Sequence, residues 1–488
     1  MKILLINPPF IFDKKSNIIL SHCLGILQIA AVLRDKGHNV SVLDALQRGF
    51  NRYKKYGGSY RVGLSNKDII KSIPPDTQLI GLSIPFSHLA SLAHKLINDI
   101  KETYPEIPIV MGGIYPSTQP EKACRSKADY IVLGEGEEPM LNLASFLNGD
   151  TSSMHKGIID SCNAGSAKAS YGKNINAYPL PARDIIPFSD YTKRSPRNVR
   201  GWRSASMITS RGCPFDCEFC AVHPVCGYRW RPYTVDRVLA EIHDLVDRYS
   251  VNNIEIEDDN FTLNKQRVKG ILHGIIDINK TKRLTWQALN GLRIDTLDQE
   301  LISLFRESNC RHLNIALEHG DPEMLKIMNK RLDLDKVVDV VKNLKKYNIS
   351  SHVFTIYGYP GETKERFNNA VKFYSKIKSI APNIVFKFFI AQPYPGTKLF
   401  KRCVEEGYLS KGIYDNIDNK DTFSTENKIW IETEDFNKKD VLRRKKILHK
   451  SLYNTKEYIM QKAREKLPDI VVSMLYTIYH KLGKIKKQ

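Results

Sequence analysis

Apolar and polar positions along this chain switch between two periods, and the switches mark the elements. Residues 2–7 (KILLIN) form an apolar, β-rich run that stops at Pro8-Pro9. Four more such runs lie at 39–44, 78–83, 107–111 and 129–133. Between them, residues 19–36 and 87–103 carry apolar side chains at helical spacing. Strands that alternate with helices predict parallel βα units, hence a doubly wound sheet over residues 1–148. Residues 149–200 lose periodicity and gain Ser, Gly, Asn and Pro, which predicts a linker. A second alternating series fills 201–400, with candidate strands at 205–210, 252–257, 284–289, 312–317, 352–357 and 384–390. Helical stretches such as 234–249 and 363–379 separate them. Six βα units are too few to close an eightfold barrel, so a partial (β/α)6 barrel is expected. Residues 401–488 form the last region, helical and basic toward the end.

Composition narrows the class. The 488 residues suit two to four domains of roughly 100–200 residues each. Apolar residues at 42% and charged residues at 26% exclude a disordered or fibrous chain. No apolar run reaches the roughly 18 residues of a membrane span, and the start lacks the pattern of a signal peptide. A cytoplasmic protein is expected. Lys and Arg exceed Asp and Glu by 74 to 53, a net charge of +21. Fifteen of those cations, against four acids, lie in 436–488. Nine cysteines, an odd number, form no disulfide ladder.

Three cysteines crowd into one loop. Residues 211–220 read Arg-Gly-Cys-Pro-Phe-Asp-Cys-Glu-Phe-Cys, so Cys213, Cys217 and Cys220 have C-x3-C-x2-C spacing. They follow a predicted strand and precede a helical stretch, which puts them at the active end of a barrel. Three thiolates can hold three irons of a cubane and leave the fourth open to a ligand, where electron carriers use four. A structural zinc would need a fourth ligand, which Cys226 or His223 could supply.

With Phe219 before the last cysteine, the loop resembles the signature of the radical S-adenosylmethionine (SAM) superfamily. The resemblance extends over roughly 200–400. It implies a TIM-type barrel carrying a [4Fe-4S] cluster on Cys213, Cys217 and Cys220, whose open iron chelates SAM. One electron then cleaves SAM to a 5′-deoxyadenosyl radical that takes a hydrogen atom from the substrate. Further segments match by place. The resemblance implies SAM contacts from Phe219, from Glu257, Asp258 and Asp259 after the second barrel strand, and from Arg293 after the third. It adds Glu318 after the fourth and Gly358 and Gly361 after the fifth. Without the resemblance, GYPGE is a turn and Asp258-Asp259 could cap a helix.

The first 150 residues resemble the Rossmann-like cobalamin (B12)-binding domain that precedes the barrel in one subclass of that superfamily, the class B methyltransferases. The likeness rests on KILLINPP, on the segment from Gly25, on Gly81-Leu-Ser83 and on Met-Gly112-Gly113 and Gly134-Glu-Gly-Glu137. It implies cobalamin contacts from Asn7, Pro8, Gly25, Ser83, Gly112, Gly113, Gly134, Glu135 and Gly136. One feature departs from other cobalamin proteins, which carry D-x-H-x-x-G with the histidine on cobalt. Here the first strand runs into Asn7-Pro8-Pro9-Phe10, so cobalt without a histidine lower ligand is expected.

The expected activity is methylation of an unactivated carbon or phosphorus centre of a small-molecule or lipid-like substrate. Cobalamin-dependent radical cyclisation or rearrangement is the alternative. Others are a transfer-RNA methylthiotransferase, with a second cluster on Cys23, Cys124 and Cys162, and a non-catalytic cobalamin or SAM sensor. No acid–base residue stands out beyond the cluster. An electron donor such as flavodoxin or ferredoxin is implied, and no nucleic-acid recognition module is visible. Basic residues flank an apolar stretch at 470–479, which suits contact with the inner face of a membrane as well as a solvated helix.

Overall fold

The computed structural model describes residues 1–14, 18–150, 157–160, 168–194, 202–409 and 428–453. Six strands form the front sheet: β1 (Lys2–Asn7), β2 (Asn39–Asp44), β3 (Leu79–Ser83), β4 (Ile109–Gly112), β5 (Tyr130–Val132) and β6 (Ile158–Asp160). Their order is β2-β1-β3-β4-β5-β6, parallel except for β6. The central strands are apolar along their length because helices cover both faces. Among these helices are α1 (Leu24–Asp35), α2 (Ala90–Thr103) and α3 (Glu137–Leu147). The chain order reverses between β1 and β3, and the turns there form the crevice where such sheets bind ligands.

The second sheet runs in chain order with every neighbour parallel. It consists of β7 (Ser204–Met207), β8 (Asn253–Ile256), β9 (Thr285–Arg293), β10 (Cys310–Glu318), β11 (Ser350–Tyr357) and β12 (Val385–Ile390). Its outer helices are α4 (Val235–His243), α5 (Lys265–Ile278), α6 (Gln299–Glu307), α7 (Leu334–Lys346) and α8 (Lys364–Ile380). Each starts on a side chain that caps it: Thr234, Asn264, Asp298, Asp333 and Thr363 accept backbone N–H groups of the first turn. A cap of this kind contributes about 1 kcal/mol. The sheet is a partial barrel, as the six units require.

Three differences from expectation have physical causes. Residues 149–200 are not a loose linker in their described parts. They supply β6 and the helix Phe188–Arg194, and they bury Arg183 and Tyr191. Single buried anchors without a repeat carry no period, so this packing is invisible to pattern. Between β2 and β3, a polar, Tyr-rich stretch folds with Phe10–Phe12 into a three-stranded antiparallel ribbon, Tyr53–Tyr56 and Ser59–Val62 turning at Gly57. The first helix starts at Leu24, not 19. In the C-terminal region, α9 (Lys438–Leu452) opens with a capping box at Asn437. The stretch 470–479, the terminal lysines and Cys162 lie outside the described residues. Among the described residues no helix is long and apolar enough to cross a membrane.

Arg183 binds this middle segment to the barrel. One guanidinium nitrogen lies 2.7 Å from Glu241 on α4 and also donates to the Ser206 carbonyl at 3.1 Å. Both side chains are buried. Without Arg183 the buried Glu241 keeps only Arg237, 3.2 Å away, and the cost lies at the low end of the about 3–5 kcal/mol for breaking a buried pair. Arg183→Met is therefore expected to lower stability by about 3 kcal/mol in urea unfolding, and a loss under about 1 kcal/mol would show that the segment is not part of the fold.

Candidate active site

The cysteine loop leaves β7 through two residues, Ser210-Arg211, that pair antiparallel with Arg231-Pro232. Gly212 has φ +78°, and a Cβ there would meet the Arg229 carbonyl oxygen at 2.5 Å, so only glycine fits this turn. The Gly212 N–H donates to Asp259 at 2.9 Å. The carboxyl ends of later strands then pin the loop. The Glu218 N–H donates to the Met328 carbonyl at 3.0 Å, and Leu399 N–H donates to the Glu218 carbonyl at 2.9 Å. Tyr359 donates to the Glu218 carboxylate at 2.6 Å, Asn329 donates to the Asp216 carbonyl at 2.7 Å, and Lys398 pairs with Asp216.

Cys217 is buried, while Cys213 and Cys220 are half-buried. Burial pushes the Cys220 thiol up to about 12. At Cys217 burial also raises the thiol, but Lys330 and Arg293 oppose it. Three thiols beside two fixed cations suit an anionic iron–sulfur cluster. Among the described residues, no three His, Cys, Asp or Glu converge as a single ion requires. A cubane needs no such convergence, since each iron takes its own cysteine. His223 is engaged otherwise, 3.2 Å from the Cys213 carbonyl and stacked on Tyr228 at 3.8 Å. Cys226 faces the neighbouring cavity. The donor set fits iron in a cubane and not zinc.

The other expected SAM residues divide. Glu257 accepts from Ser206 at 2.8 Å and lines the cavity described below. Asp258 is spent internally: it accepts the Thr209 N–H at 2.5 Å and the hydroxyls of Thr209 and Ser210 at 2.6 and 2.5 Å. It latches β7 to β8 and has no free oxygen face for a ligand. Asp259 lies in the cavity wall, its carboxyl pushed up to about 6 by burial and by Asp258, against the pull of the Gly212 N–H. The Arg293 guanidinium sits 3.6 Å over the Phe215 ring and donates to Asp295 at 2.9 Å and to the Lys330 carbonyl at 2.8 Å. Lys330 pairs with Glu318 at 3.2 Å, both buried. Glu318 has φ +67°, a strained conformation of the kind that collects at functional sites. Gly358 donates to Glu362 at 2.7 Å, and Gly361 also has positive φ. Phe219 packs against the core.

Several residues at this end were not singled out by sequence. Glu362 is fully buried, 3.0 Å from His319 and 2.5 Å from Arg444 on α9. That trio joins the turns after β10 and β11 to the C-terminal helix. His319 follows Glu318 directly and could have been noticed. Arg444 sits in a basic run that reads as solvated, so nothing marked it.

A cavity of about 500 Å³ separates the carboxyl edge of the front sheet from the barrel mouth. That size lies within the roughly 300–1,000 Å³ of small-molecule sites. Asn7, Gly25, Ser83, Gly112, Gly113, Gly134, Glu135 and Gly136 line it on one side, and Pro8 does not. Ser210, Arg211, Cys226, Glu257 and Asp259 line it from the barrel. At Gly113, φ is +108° and a Cβ would strike the Ile84 carbonyl oxygen at 2.7 Å, so glycine lets this turn run close along the cavity floor. Of the histidines near the front sheet, His22 reaches the wall, whereas His38 lies beside the N-terminal amine at 3.3 Å. His88 stacks on Phe86, held down to about 4 by burial. No histidine occupies the turn after β1.

Glu135 and Glu137 do more than line the wall. Both Arg231 terminal nitrogens grip the Glu135 carboxylate at 2.6 and 2.7 Å, and Arg211 pairs with Glu137 at 2.7 Å. Arg211 also approaches Glu135 at 3.5 Å. All four side chains are buried or nearly so. The front-sheet turn at 134–137 is thus clamped to the strand pair that launches the cysteine loop.

The comparisons agree with this geometry. The Radical SAM superfamily pattern matches residues 207–374, and the B12 binding domain pattern matches residues 20–144. An uncharacterised methyltransferase of Pyrococcus horikoshii is 29% identical over 427 residues, covering 84% of each chain. The cytidylyl-2-hydroxyethylphosphonate methyltransferase of Streptomyces wedmorensis is 27% identical, over 84% of this chain and 82% of that one. In fold, the chain is similar to the radical SAM methyltransferase TsrM of Kitasatospora setae with cobalamin and a [4Fe-4S] cluster bound. The TM-score is 0.64 at 20% identity, over 83% of this chain and 78% of that one. It is likewise similar to the cobalamin-dependent radical enzyme OxsB, with TM-score 0.68 at 16% identity over 100% and 76%. A radical SAM domain and, ahead of it, a B12-binding domain are both present in this chain, with a [4Fe-4S] cluster, SAM and cobalamin as its cofactors.

Proposed function

We propose that this enzyme methylates an unactivated carbon or phosphorus centre of a small molecule with an apolar body. One observation carries the reading: a single cavity is walled on one side by the front-sheet turns and on the other by Glu257 and Asp259, and Asp259 holds the glycine before Cys213. Bound there, the cofactors supply a transferable methyl group on one side and a hydrogen-abstracting radical on the other. Two of the relatives are methyltransferases by name, one of them acting on a phosphonate.

The chain's own residues set the stage. Cys213, Cys217 and Cys220 would hold three irons, while Arg293 and Lys330 offset the negative charge of the cluster. Glu318, held in place by Lys330, and the Gly358–Gly361 turn would border the SAM adenosine. The substrate would enter the open barrel face. There Phe354 and Phe389 meet edge to face at 5.3 Å, on the side of their strands opposite Phe386 and Phe388, which pack with Tyr374 on α8. Phe389 is 49% exposed, unusual for an aromatic in a barrel strand, and suits an apolar substrate wall. A small acidic electron carrier suits the +21 charge. Contact of the basic C-terminal region with anionic lipid suits the exposed row Lys439, Arg443, Lys446 and Lys450 on α9.

Anaerobically reconstituted protein should hold about four irons and one cobalt, and Cys217→Ala should abolish both iron loading and deoxyadenosine release. Two clusters' worth of iron would favour the methylthiotransferase instead. Turnover with methyl-labelled SAM should yield a product carrying the label, and label-free products would point to radical cyclisation. Arg231→Met should weaken cobalamin retention about tenfold with iron content unchanged, roughly the 1.4 kcal/mol expected from losing one positioning contact, and Arg231→Lys should recover part of it. Equal retention in a cobalamin titration would show that the clamp does not shape the front cavity.

A further inference from the structure

We infer that Asn260 sets the reduction potential of the cluster by donating a hydrogen bond from its side-chain amide to the Cys213 sulfur. This rests on the reading of Cys213 as an iron ligand. The Asn260 Nδ2 lies 3.7 Å from the Cys213 Sγ, within range for an N–H donor to sulfur. Asn260 is 4% exposed, so water does not compete for that donor. Its backbone is anchored by its carbonyl, which accepts from the Trp230 indole at 3.1 Å. Its Oδ1 is buried and has no hydrogen-bond partner among the described residues.

That orphan oxygen is informative. A buried amide with one satisfied end costs free energy, typically about 1–3 kcal/mol for the unpaired group. The arrangement persists with the nitrogen toward sulfur. Turned over, the amide would set its oxygen against a thiolate and leave two N–H groups unpaired. As an iron ligand the Cys213 sulfur is a thiolate, an acceptor only, and the observed orientation is the one that presents a donor to it. Hydrogen bonds to cluster sulfurs stabilise the state with more negative charge. The reduced cluster carries one more electron than the oxidised one, so the Asn260 amide raises the potential and eases delivery of the electron. Asn260 is a positioning residue in this scheme: it acts through Cys213.

The test is a redox titration of the full chain, reconstituted with iron and sulfide and without SAM or cobalamin, followed by the paramagnetic signal of the reduced cluster. Asn260→Leu keeps the volume and removes the donor. Asn260→Asp keeps the shape and replaces the donor with a charge. At a fixed potential the reduced-to-oxidised ratio is expected to fall about tenfold in Asn260→Leu, which is 59 mV for one electron, and further in Asn260→Asp. A mere packing defect would not rank the variants by charge. Unshifted potentials in both variants at normal iron content overturn the inference. If the variants lose iron, the unaltered chain labelled with [15N]asparagine decides: weak nitrogen coupling to the reduced cluster supports the contact and its absence refutes it. Failure of the unaltered chain to hold a four-iron cluster would instead remove the cluster assignment, and this inference with it.

Discussion

Two arginines gripping two glutamates hold the halves of this enzyme in one arrangement. Arg231 and Arg211 stand on the two-residue ladder at the foot of the cysteine loop, and Glu135 and Glu137 stand on the turn after β5. Burying four charges is costly, and such groups do not add stability in proportion to their Coulomb attraction. What they do supply is direction. A bidentate guanidinium–carboxylate pair tolerates little rotation, so the front-sheet crevice faces the barrel mouth in one register. Hydrophobic contact alone would permit sliding.

Everything else at the site follows from where strands end. Apart from the antiparallel β6 both sheets are parallel, and the carboxyl ends of β1, β3, β4, β5, β7 and β8 converge on the shared cavity. Side chains that could have met ligand are partly used to hold those loops. Asp258 latches β7, Glu362 ties two turns to α9, and Lys330 restrains Glu318. The result is a set of loops tied to one another at the barrel mouth, the kind of fixed frame that would hold reacting groups in one geometry.

Much of this was legible in the amino-acid order, and the reasons are physical. Strand β1 was placed at its observed limits because a central strand of a parallel sheet is apolar along its length, and the edge strand β2 because Val40 and Val42 alternate with exposed Asn39 and Ser41. The cysteine loop was legible because iron imposes its own spacing. Asn7, Ser83 and the glycine turns fall on the cavity wall, whereas Pro8 is not part of it and Asp258 is consumed by neighbours. Contacts between distant segments left no local trace. Arg183 finds Glu241, Tyr191 donates to Asp44 at 2.5 Å, and Arg444 finds Glu362, each across a long stretch of chain. A buried arginine in a basic helix looks like its solvated neighbours until the fold is known. Glu135 was expected to touch cofactor, and the structure shows it clasped by arginine.

The central claim is that cobalamin would sit in a cavity whose barrel-side wall, Arg211 and Asp259, borders the loop of Cys213, Cys217 and Cys220, so that a methyl group and a radical would meet on one substrate. Pulsed electron paramagnetic resonance of the doubly loaded chain, with paramagnetic cobalt and reduced cluster together, addresses it directly. The account predicts a strong dipolar interaction that broadens both signals relative to the singly loaded forms. Two spectra that simply add, with neither signal perturbed by the other, would contradict it.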